Sequence, residues 1–555
     1  MLDLRGNNSP TTQSKAPLPR NGRPESQTRR WWYSAWLAVI VGFALLHALH
    51  LRADFPNHSP WSMDWAKYTD EGWYGDAAIR ARQFGNWYMP GDFNPAVAVP
   101  VWPFLEWVLF LATGVTPQAA RALAVAVSFL NLLLSFALLR THSLRWTSLL
   151  ALTLLATSPF LYCFSRLAIL EPLLTMILLA ALNVAVRVHK MRRPAWGASG
   201  AGLLFALAML TKTTALFLLP AVAWAIAFPL WAKRRQAIRC LLAAGSSFIA
   251  GYGLWVALIV RLGLFTDFKY YFFVNNYPKP RELYWPLVSL WWSLHGTLWI
   301  DRILVPLAGI IVVAALVYRR QAWARELLQN PVFGSSILAV LGCILFMTYQ
   351  NHPQPRYFTV AAVFCFFVIA LGSEALLLSS PYGIPWRQSR SRIAGWGVIG
   401  LSVLAAGLGG ARTLRYATHP QYSFLTAAGR LTHYIDTHPN GKRLLVSISG
   451  DEISLFTHLP ALCDDFGTTD LPEKLAAYQP GWYAAWNDLN PDTLEDLHTH
   501  FSVEQVADFP AFDDPERKLL ILYKLHPLPG GQARDPQEQD LKQPLPDDSI
   551  QAPMQ

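Results

Sequence analysis

The sequence predicts a polytopic α-helical membrane protein of about 11 transmembrane helices, followed by a small extracytoplasmic α/β domain at the C-terminal end. First, the composition is 53% hydrophobic and only 15% charged, against about 25% charged residues in soluble domains. Second, the apolar residues fall in repeated runs of about 20 residues, the length that spans a bilayer. Third, the Lys and Arg residues cluster between these runs, which is typical of the cytoplasmic loops of membrane proteins.

Each predicted span is an apolar run between polar segments. The spans are residues 31–51, 118–139, 146–165, 171–186, 196–210, 214–231, 241–262, 303–318, 332–349, 357–378 and 394–411. Residues 1–30 are rich in Pro, Ser, Asn and Arg, so they are predicted to be a disordered cytoplasmic segment. This long polar stretch is unlike a cleaved signal peptide, and the first span is therefore expected to remain as an anchor.

A further apolar run, residues 95–114, is predicted to lie in the membrane interface rather than to cross. It contains Pro100, Pro103 and Glu106, and proline disrupts a helix interior. If this run does not cross, every basic cluster between the later spans falls on the same side of the membrane. If it crosses, the positive-inside rule fails. The N-terminus is therefore predicted to be cytoplasmic and the C-terminal domain to lie outside.

Two long external loops follow from this topology. The first is residues 52–117 and includes the interfacial helix, and the second is residues 263–301. Together with the spans they make up a transmembrane domain over residues 31–411.

The polar tail has a different periodicity. It predicts two short buried strands and two helices, namely strands at 444–448 and 519–523 and helices at 451–458 and 472–478. These elements predict a small α/β domain over residues 412–526. Residues 527–555 are rich in Pro, Gln and Asp and are predicted to be disordered.

Charge and cysteine usage exclude two other classes of function. The net charge is +10, but the basic residues lie in separate clusters between apolar runs, so no nucleic-acid partner is predicted. Four of the five cysteines lie in apolar segments and Cys463 is alone in the tail. The spacing therefore indicates neither a disulfide framework nor a CxxC metal site.

The stretch 68–76 concentrates reactive side chains in the first external loop. It contains the carboxylates Asp70, Glu71 and Asp76 together with three aromatic residues, among them Tyr74. Ionisable groups at a membrane are costly, so they favour a functional hypothesis. The ordinary alternative is a solvent-exposed loop whose acidic side chains only keep it hydrated.

Further charged residues are predicted to converge on the same outer side. They lie at turns between spans: Arg166, Glu171, Lys212, His352 and Arg356. Carboxylates can supply a general base and ligands for a hard divalent cation, while Arg and Lys can hold a phosphate. Aromatic residues can stack on sugar rings, although anchoring in the headgroup region is their ordinary role. Each residue alone also has a structural explanation, and the hypothesis rests on their common side.

This arrangement resembles the GT-C superfamily of membrane glycosyltransferases over roughly residues 32–411. It is most similar to bacterial protein O-mannosyltransferases and lipid A aminoarabinose transferases (PMT/ArnT-like proteins). One matching feature is an acidic pair in the first external loop, Asp70-Glu71 with Tyr74, and another is a juxtamembrane helix, 100–114 with Ala120-Arg121. The others are an Arg-to-acid turn, Ser165-Arg166 to Leu170-Glu171, and two basic positions, Leu210-Thr211-Lys212 and Arg356-Tyr357. Glu171 stands where the family usually has Asp.

The resemblance implies an inverting transferase of the bacterial inner (plasma) membrane that uses a polyprenyl-phosphate sugar as donor. Asp70 would be the base, supported by Glu71 and Glu171. The donor phosphate would bind to Arg166, Lys212 and Arg356.

It also implies sugar or acceptor contacts from Tyr74, His352 and Tyr357. Because relatives differ in metal use, a divalent metal (Mg²⁺ or Mn²⁺) at Asp70 and Glu171 stays open. The acceptor, whether lipid, glycan or protein, the sugar, the role of the tail domain and the oligomeric state are left open too.

Two other functions compete with this interpretation. A lipid or small-molecule transporter or flippase would also carry charged residues, but its residues should lie near the midplane in paired broken helices. A noncatalytic scaffold could use the tail to bind a partner, but it does not explain the acidic pair.

Overall fold

The computed structural model describes residues 27–275, 284–295, 301–349, 354–378 and 385–529. Apolar helices dominate this chain up to Thr418. They are α1 (Gln27–Leu46), α2 (Asp70–Gln83), α3 (Val101–Thr113), α4 (Pro117–Leu139), α5 (Arg145–Thr157), α6 (Pro159–Ser165), α7 (Leu170–Ala185), α8 (Pro194–Met209), α9 (Leu219–Ala227), α10 (Arg234–Arg261), α11 (Phe265–Lys269), α12 (Trp285–His295), α13 (Leu304–Val317), α14 (Ala322–Leu328), α15 (Pro331–Met347), α16 (Thr359–Leu378) and α17 (Pro385–Thr418).

Helix lengths support a multi-pass membrane protein without fixing the number of spans. Among the described residues, five helical runs are long and apolar enough to cross a membrane, or up to seven if each of two bent pairs is one span. The predicted span 146–165 is one of these pairs, because it bends by 66° where Ser158 and Pro159 separate α5 from α6. Proline cannot donate the hydrogen bond that would continue the helix. The count of eleven stays a prediction.

The predicted interfacial run forms the short helix α3. Its 13 residues extend about 20 Å, less than the roughly 30 Å hydrocarbon core of a bilayer. Trp102, Glu106 and Phe110 are buried on one face, whereas Phe104 and Leu111 are exposed on the other. A 13-residue helix with an apolar exposed face is too short to cross a bilayer, and its position along the membrane surface stays a prediction.

The acidic stretch of the first external loop is a buried helix and not an open loop. Asp70 is the first residue of α2, and the helix is buried from Asp70 to Arg80. On one side α2 packs against α3, and on the other against α19 (Gly450–Thr457) of the tail domain. A Cβ atom on Gly72 would lie 2.1 Å from the backbone nitrogen of Glu452, so only glycine permits this approach.

The tail forms an α/β domain around one five-stranded sheet. Its remaining helices are α18 (Ser423–Thr437), α20 (Leu471–Tyr478) and α21 (Pro491–His498), and its strands are β1 (Leu445–Val446), β2 (Ala461–Leu462), β3 (Trp482–Trp486), β4 (Phe501–Pro510) and β5 (Leu519–Pro527). The sheet order is β2-β1-β3-β5-β4. The β1 strand runs parallel to both of its neighbours, whereas β5 runs antiparallel to β3 and β4.

The predicted elements of the tail are present, and three strands were missed. Strands were predicted at the positions of β1 and β5, and helices at those of α19 and α20. The missed β4 is an edge strand in which only two of ten residues are buried, so its sequence lacks the apolar run that marked the other two. Of the segments predicted to be disordered, 1–30 and 527–555, residues 1–26 and 530–555 lie outside the described residues. The prediction was wrong at the inner ends, because Gln27 already begins α1 and Pro527 still belongs to β5.

Candidate active site

The start of α2 places Asp70 in a buried cluster of charges. Asp70 is 0% exposed, and its Oδ2 lies 2.6 Å from Nε of Arg356. The hydroxyl of Thr69 donates to the other carboxylate oxygen at 3.1 Å. A negative charge at the first residue of a helix also interacts favourably with the helix dipole.

Arg356 is the centre of this cluster. It lies in a short turn, Pro355–Phe358, just before α16. Its Nη1 is 2.6 Å from Oδ1 of Asp64, and its backbone N–H donates to Oδ2 of Asp64 at 2.8 Å. Its Nε is also 3.9 Å from Oε1 of Glu171. The guanidinium therefore connects three carboxylates from two distant parts of the sequence.

Sequence reasoning missed Asp64. This residue caps the short helical turn Trp65–Lys67 by accepting from the N–H of Ala66 at 2.9 Å. Its signal in the sequence is weak, because a single Asp before a turn is usually a cap and nothing more. Its ionic role depends on Arg356, which lies 292 residues later in the chain.

Lys212 and Glu171 form the second ion pair of the cluster, with 2.7 Å between Nζ and Oε1. The ammonium lies over the rings of Tyr357 and Tyr74, 4.6 and 5.5 Å from their centres. The structure thus brings together the predicted residues Asp70, Glu171, Lys212, Arg356, Tyr74 and Tyr357.

The cluster, defined here as Asp64, Asp70, Glu171, Lys212 and Arg356, contains three carboxylates and two cations. The pKa of Asp70 is raised to about 6. Burial is the main cause, Arg356 opposes it, and the negative charges of Asp64 and Glu171 add to the increase. A carboxylate of this pKa is ionised at neutral pH yet basic enough to take a proton from a reacting group.

Two predicted site residues are engaged elsewhere. Glu71 forms an ion pair with Arg121, whose Nε donates to Oε1 at 2.8 Å, and it also accepts from the N–H of Ala168 at 2.7 Å. Arg166 donates to the hydroxyl of Tyr162 and to the backbone carbonyls of Leu49 and His50, at 2.5 to 2.7 Å.

The expectation that Glu71 and Arg166 join the cluster is therefore not met by the geometry. Successive residues of a helix point about 100° apart, which sends Glu71 away from Asp70. Arg166 instead holds the segment that follows α1. His352 lies outside the described residues.

A divalent metal at the cluster stays a prediction. Asp70 and Glu171 are the carboxylates proposed as ligands, but each is paired with a cation of the protein. Within the part of the chain that the structure describes, no group of three His, Cys, Asp or Glu residues could hold a metal ion.

A second buried network, outside the cluster, joins α2 to the tail domain. Arg80 contacts Asp76 at 3.0 Å, Asp92 at 2.6 Å and Asp451 at 3.5 Å, while Lys474 contacts Asp92 at 3.2 Å. Burial raises the pKa of Asp451 to about 7 despite the nearby Arg80. Asp76, the third acid of the predicted stretch, therefore belongs to a contact between domains.

Comparison with known proteins agrees with this architecture. Residues 95–255 match the family model described as dolichyl-phosphate-mannose-protein mannosyltransferase. Among curated proteins, none matches the sequence.

Solved structures of low identity share the fold. ArnT from Cupriavidus metallidurans bound to undecaprenyl phosphate has 13% identity and a TM-score of 0.57, with 88% of this chain and 98% of that one covered. The apo state of the same protein gives a TM-score of 0.56 at 13% identity over the same shares. The fold thus extends across both the helical part and the tail.

Proposed function

We propose, from the PMT- and ArnT-like GT-C fold of this chain, that it is a membrane glycosyltransferase that takes a sugar from a polyprenyl-phosphate donor. The observation that carries the proposal is the buried cluster, in which Asp70, a carboxylate with a raised pKa, lies against Arg356, and Lys212 lies against Glu171. The fold alone supports many chemistries, so the reaction has to follow from what these side chains can do.

In this proposal Asp70 is the general base. The acceptor hydroxyl gives its proton to the Asp70 carboxylate while its oxygen attacks the anomeric carbon of the sugar. The bond between that carbon and the phosphate oxygen breaks, and the electron pair leaves with the polyprenyl phosphate. A single displacement inverts the anomeric configuration.

Lys212 and Arg356 are the groups that bind the negatively charged phosphate of the donor. Both are donors of charge-assisted hydrogen bonds, and Arg can bind a phosphate in bidentate fashion. In the free protein they are neutralised by Glu171, Asp64 and Asp70. A donor phosphate that takes the Nε side of Arg356 would release Asp70 from its ion pair, so donor binding would free the base.

Tyr74 and Tyr357 complete the proposed site. Their rings enclose the Lys212 ammonium, and they offer flat apolar surfaces on which a sugar ring can stack. The site would lie on the extracytoplasmic face of a bacterial inner membrane, with the lipid tail of the donor between the helices. The scheme uses only side chains of the protein, and a divalent metal at Asp70 and Glu171 stays a separate prediction.

The test is transfer of radiolabelled sugar from a panel of polyprenyl-phosphate donors by the purified full-length protein. The wild type is compared with Asp70→Asn, and both are checked for donor binding. Label that moves to water or to an added acceptor in the wild type alone supports the proposal. No turnover with any donor would overturn it, and lipid translocation by the same preparation would point to the transporter.

A further inference from the structure

A segment of the tail domain contacts the residues immediately before Asp70. This segment, residues 511–518, connects β4 to β5 and is called the clasp below. Asp514 of the clasp forms an ion pair with Lys67 at 2.5 Å, and Nη2 of Arg517 donates to the hydroxyl of Tyr68 at 2.8 Å. The guanidinium of Arg517 also lies over the Tyr68 ring, 4.6 Å from its centre.

The residues of the first external loop that make these contacts are buried. The side chains of Lys67 and Asp514 are 4% and 11% exposed, and Tyr68 is buried. The Lys67 ammonium lies 5.0 Å from the centre of the Phe512 ring, and that ring stacks on Phe424 of α18. Removal of one partner from an ion pair shielded in this way is more costly than at the surface, because the other charge is left buried and unpaired.

The clasped residues lead directly to the cluster. Lys67 ends the short turn that Asp64 caps, and Asp64 holds Arg356 by two contacts. Tyr68 precedes the start of α2 by two residues, and the charges of Asp70 and Arg356 both act on its hydroxyl. Movement at Lys67 or Tyr68 therefore moves Asp64 and Asp70 relative to Arg356.

We infer that the clasp positions the candidate base, with Arg517 and Asp514 of the tail domain acting through Tyr68 and Lys67 on the distance between Asp70 and Arg356. The inference rests on the proposed function, in which Asp70 reacts. Arg517 is in this sense a positioning residue, because it touches neither the cluster nor any reacting atom. The tail domain thereby belongs to the catalytic unit and is not a separate binding module.

The variants that test this inference are Arg517→Met, Arg517→Lys, Tyr68→Phe and the Met/Phe double variant. The matched control is Arg443→Met, because Arg443 forms an ion pair with Asp436 at 2.6 Å on the exposed surface of the same domain. Steady-state transfer gives kcat and the KM for the donor. Hydrogen exchange of peptides covering residues 64–72 reports the clasp without any need for activity.

With Arg517→Met we expect kcat to fall about tenfold or more, since small displacements of reacting groups are costly, while the donor KM stays within about twofold. Arg517→Lys should restore part of kcat, and Tyr68→Phe should reproduce part of the loss. The double variant should be no worse than Arg517→Met alone, because both changes remove one interaction. Arg443→Met should match the wild type in every measurement.

The outcomes separate this inference from the proposed function. Unchanged exchange at residues 64–72 in Arg517→Met overturns the clasp, whether or not the protein transfers sugar. An active wild type with an equally active Arg517→Met overturns the positioning role alone. A third outcome is that residues 64–72 exchange faster in Arg517→Met while the wild type transfers sugar from no donor. That result keeps the clasp but overturns the proposed function.

Discussion

At the scale of single residues, two adjacent carboxylates have different roles. Asp70 and Glu71 follow each other at the start of α2, yet Asp70 faces Arg356 and Glu71 faces Arg121. In the proposed function a donor phosphate replaces the contact of Asp70 with Arg356. Glu71 also accepts a backbone hydrogen bond from Ala168, which ties the first external loop to the turn before α7.

Asp70→Asn and Glu71→Gln should therefore fail in different ways. We expect Asp70→Asn to lower kcat by about 10²- to 10⁴-fold, the range for loss of a general base. The thermal unfolding midpoint should stay unchanged, because the buried Arg356 keeps Asp64 as its counter-ion. Glu71→Gln should lower the unfolding midpoint, because it leaves the buried Arg121 without its counter-ion. Activity assays and thermal unfolding in detergent measure both, and a stable, inactive Glu71→Gln protein would contradict this division.

The pH dependence of transfer should report Asp70. Its pKa is raised to about 6 by burial, and a general base works only when it is deprotonated. We therefore expect kcat/KM to be level above this pH and to fall about tenfold per pH unit below it. A pH profile of the wild type measures this, and a profile that stays flat down to about pH 4 would exclude Asp70 as the base.

Lys212 should govern donor binding. We expect Lys212→Met to raise the donor KM about tenfold to a hundredfold, because a hydrogen bond to a charged group is worth about 1.5–3 kcal/mol. Lys442→Met is the matched control, since Lys442 is exposed on the tail domain and donates only to the carbonyl of Tyr478 in the described contacts. Equal donor affinity for the two variants would place the phosphate elsewhere.

At the scale of elements, the helix α2 is the part on which the site depends. It contacts α3 on one side and α19 on the other, and Gly72 allows the second contact. The N–H of Gly72 donates to Oε2 of Glu452 at 2.8 Å. The buried network around Arg80 continues the same interface.

Gly72→Ala should separate α2 from the tail domain. The new Cβ would lie 2.1 Å from the nitrogen of Glu452 and 2.2 Å from the carbonyl carbon of Asp451, and backbone atoms cannot yield as a flexible side chain can. We expect a loss of about 1–3 kcal/mol in unfolding free energy, measured by denaturant unfolding, together with reduced transfer. Gly429→Ala is the control, because a Cβ atom on Gly429 would have nothing within 4 Å.

At the scale of the whole molecule, the tail domain and the helical part form one unit around the first external loop. The hydrophobic core is continuous from the membrane helices through Trp73 and Phe93 to the tail-domain residues Phe424 and Trp482. The cluster, the clasp and the tail domain therefore share one side of the molecule. That side is predicted to be the outer one, opposite the basic clusters.

The orientation can be measured with single cysteines. We expect a membrane-impermeant thiol reagent to label Arg443→Cys and Glu504→Cys from outside intact cells, and to leave Arg235→Cys unlabelled until the membrane is opened. Background should be low, because all five native cysteines are buried. Labelling of Arg235→Cys in intact cells would reverse the topology.

The sequence by itself determined that the chain is a multi-pass helical membrane protein, and it selected most residues of the candidate site. Hydrophobic runs and basic clusters are local properties, so they predicted a multi-pass helical protein, and local periodicity predicted β1, β5, α19 and α20 in the tail. The same local reasoning selected Asp70, Glu171, Lys212 and Arg356, which do meet. The number of spans stays a prediction, because five to seven of the described helical runs are long and apolar enough to cross a membrane.

Only the tertiary structure decided which charges pair. It separated Glu71 from Asp70, diverted Arg166 to backbone carbonyls and added Asp64 to the cluster. It also placed Arg517, 449 residues further along the chain, on Tyr68. Ion pairs between residues hundreds of positions apart leave no periodic signal in the sequence, since they form only once helices and sheet have packed.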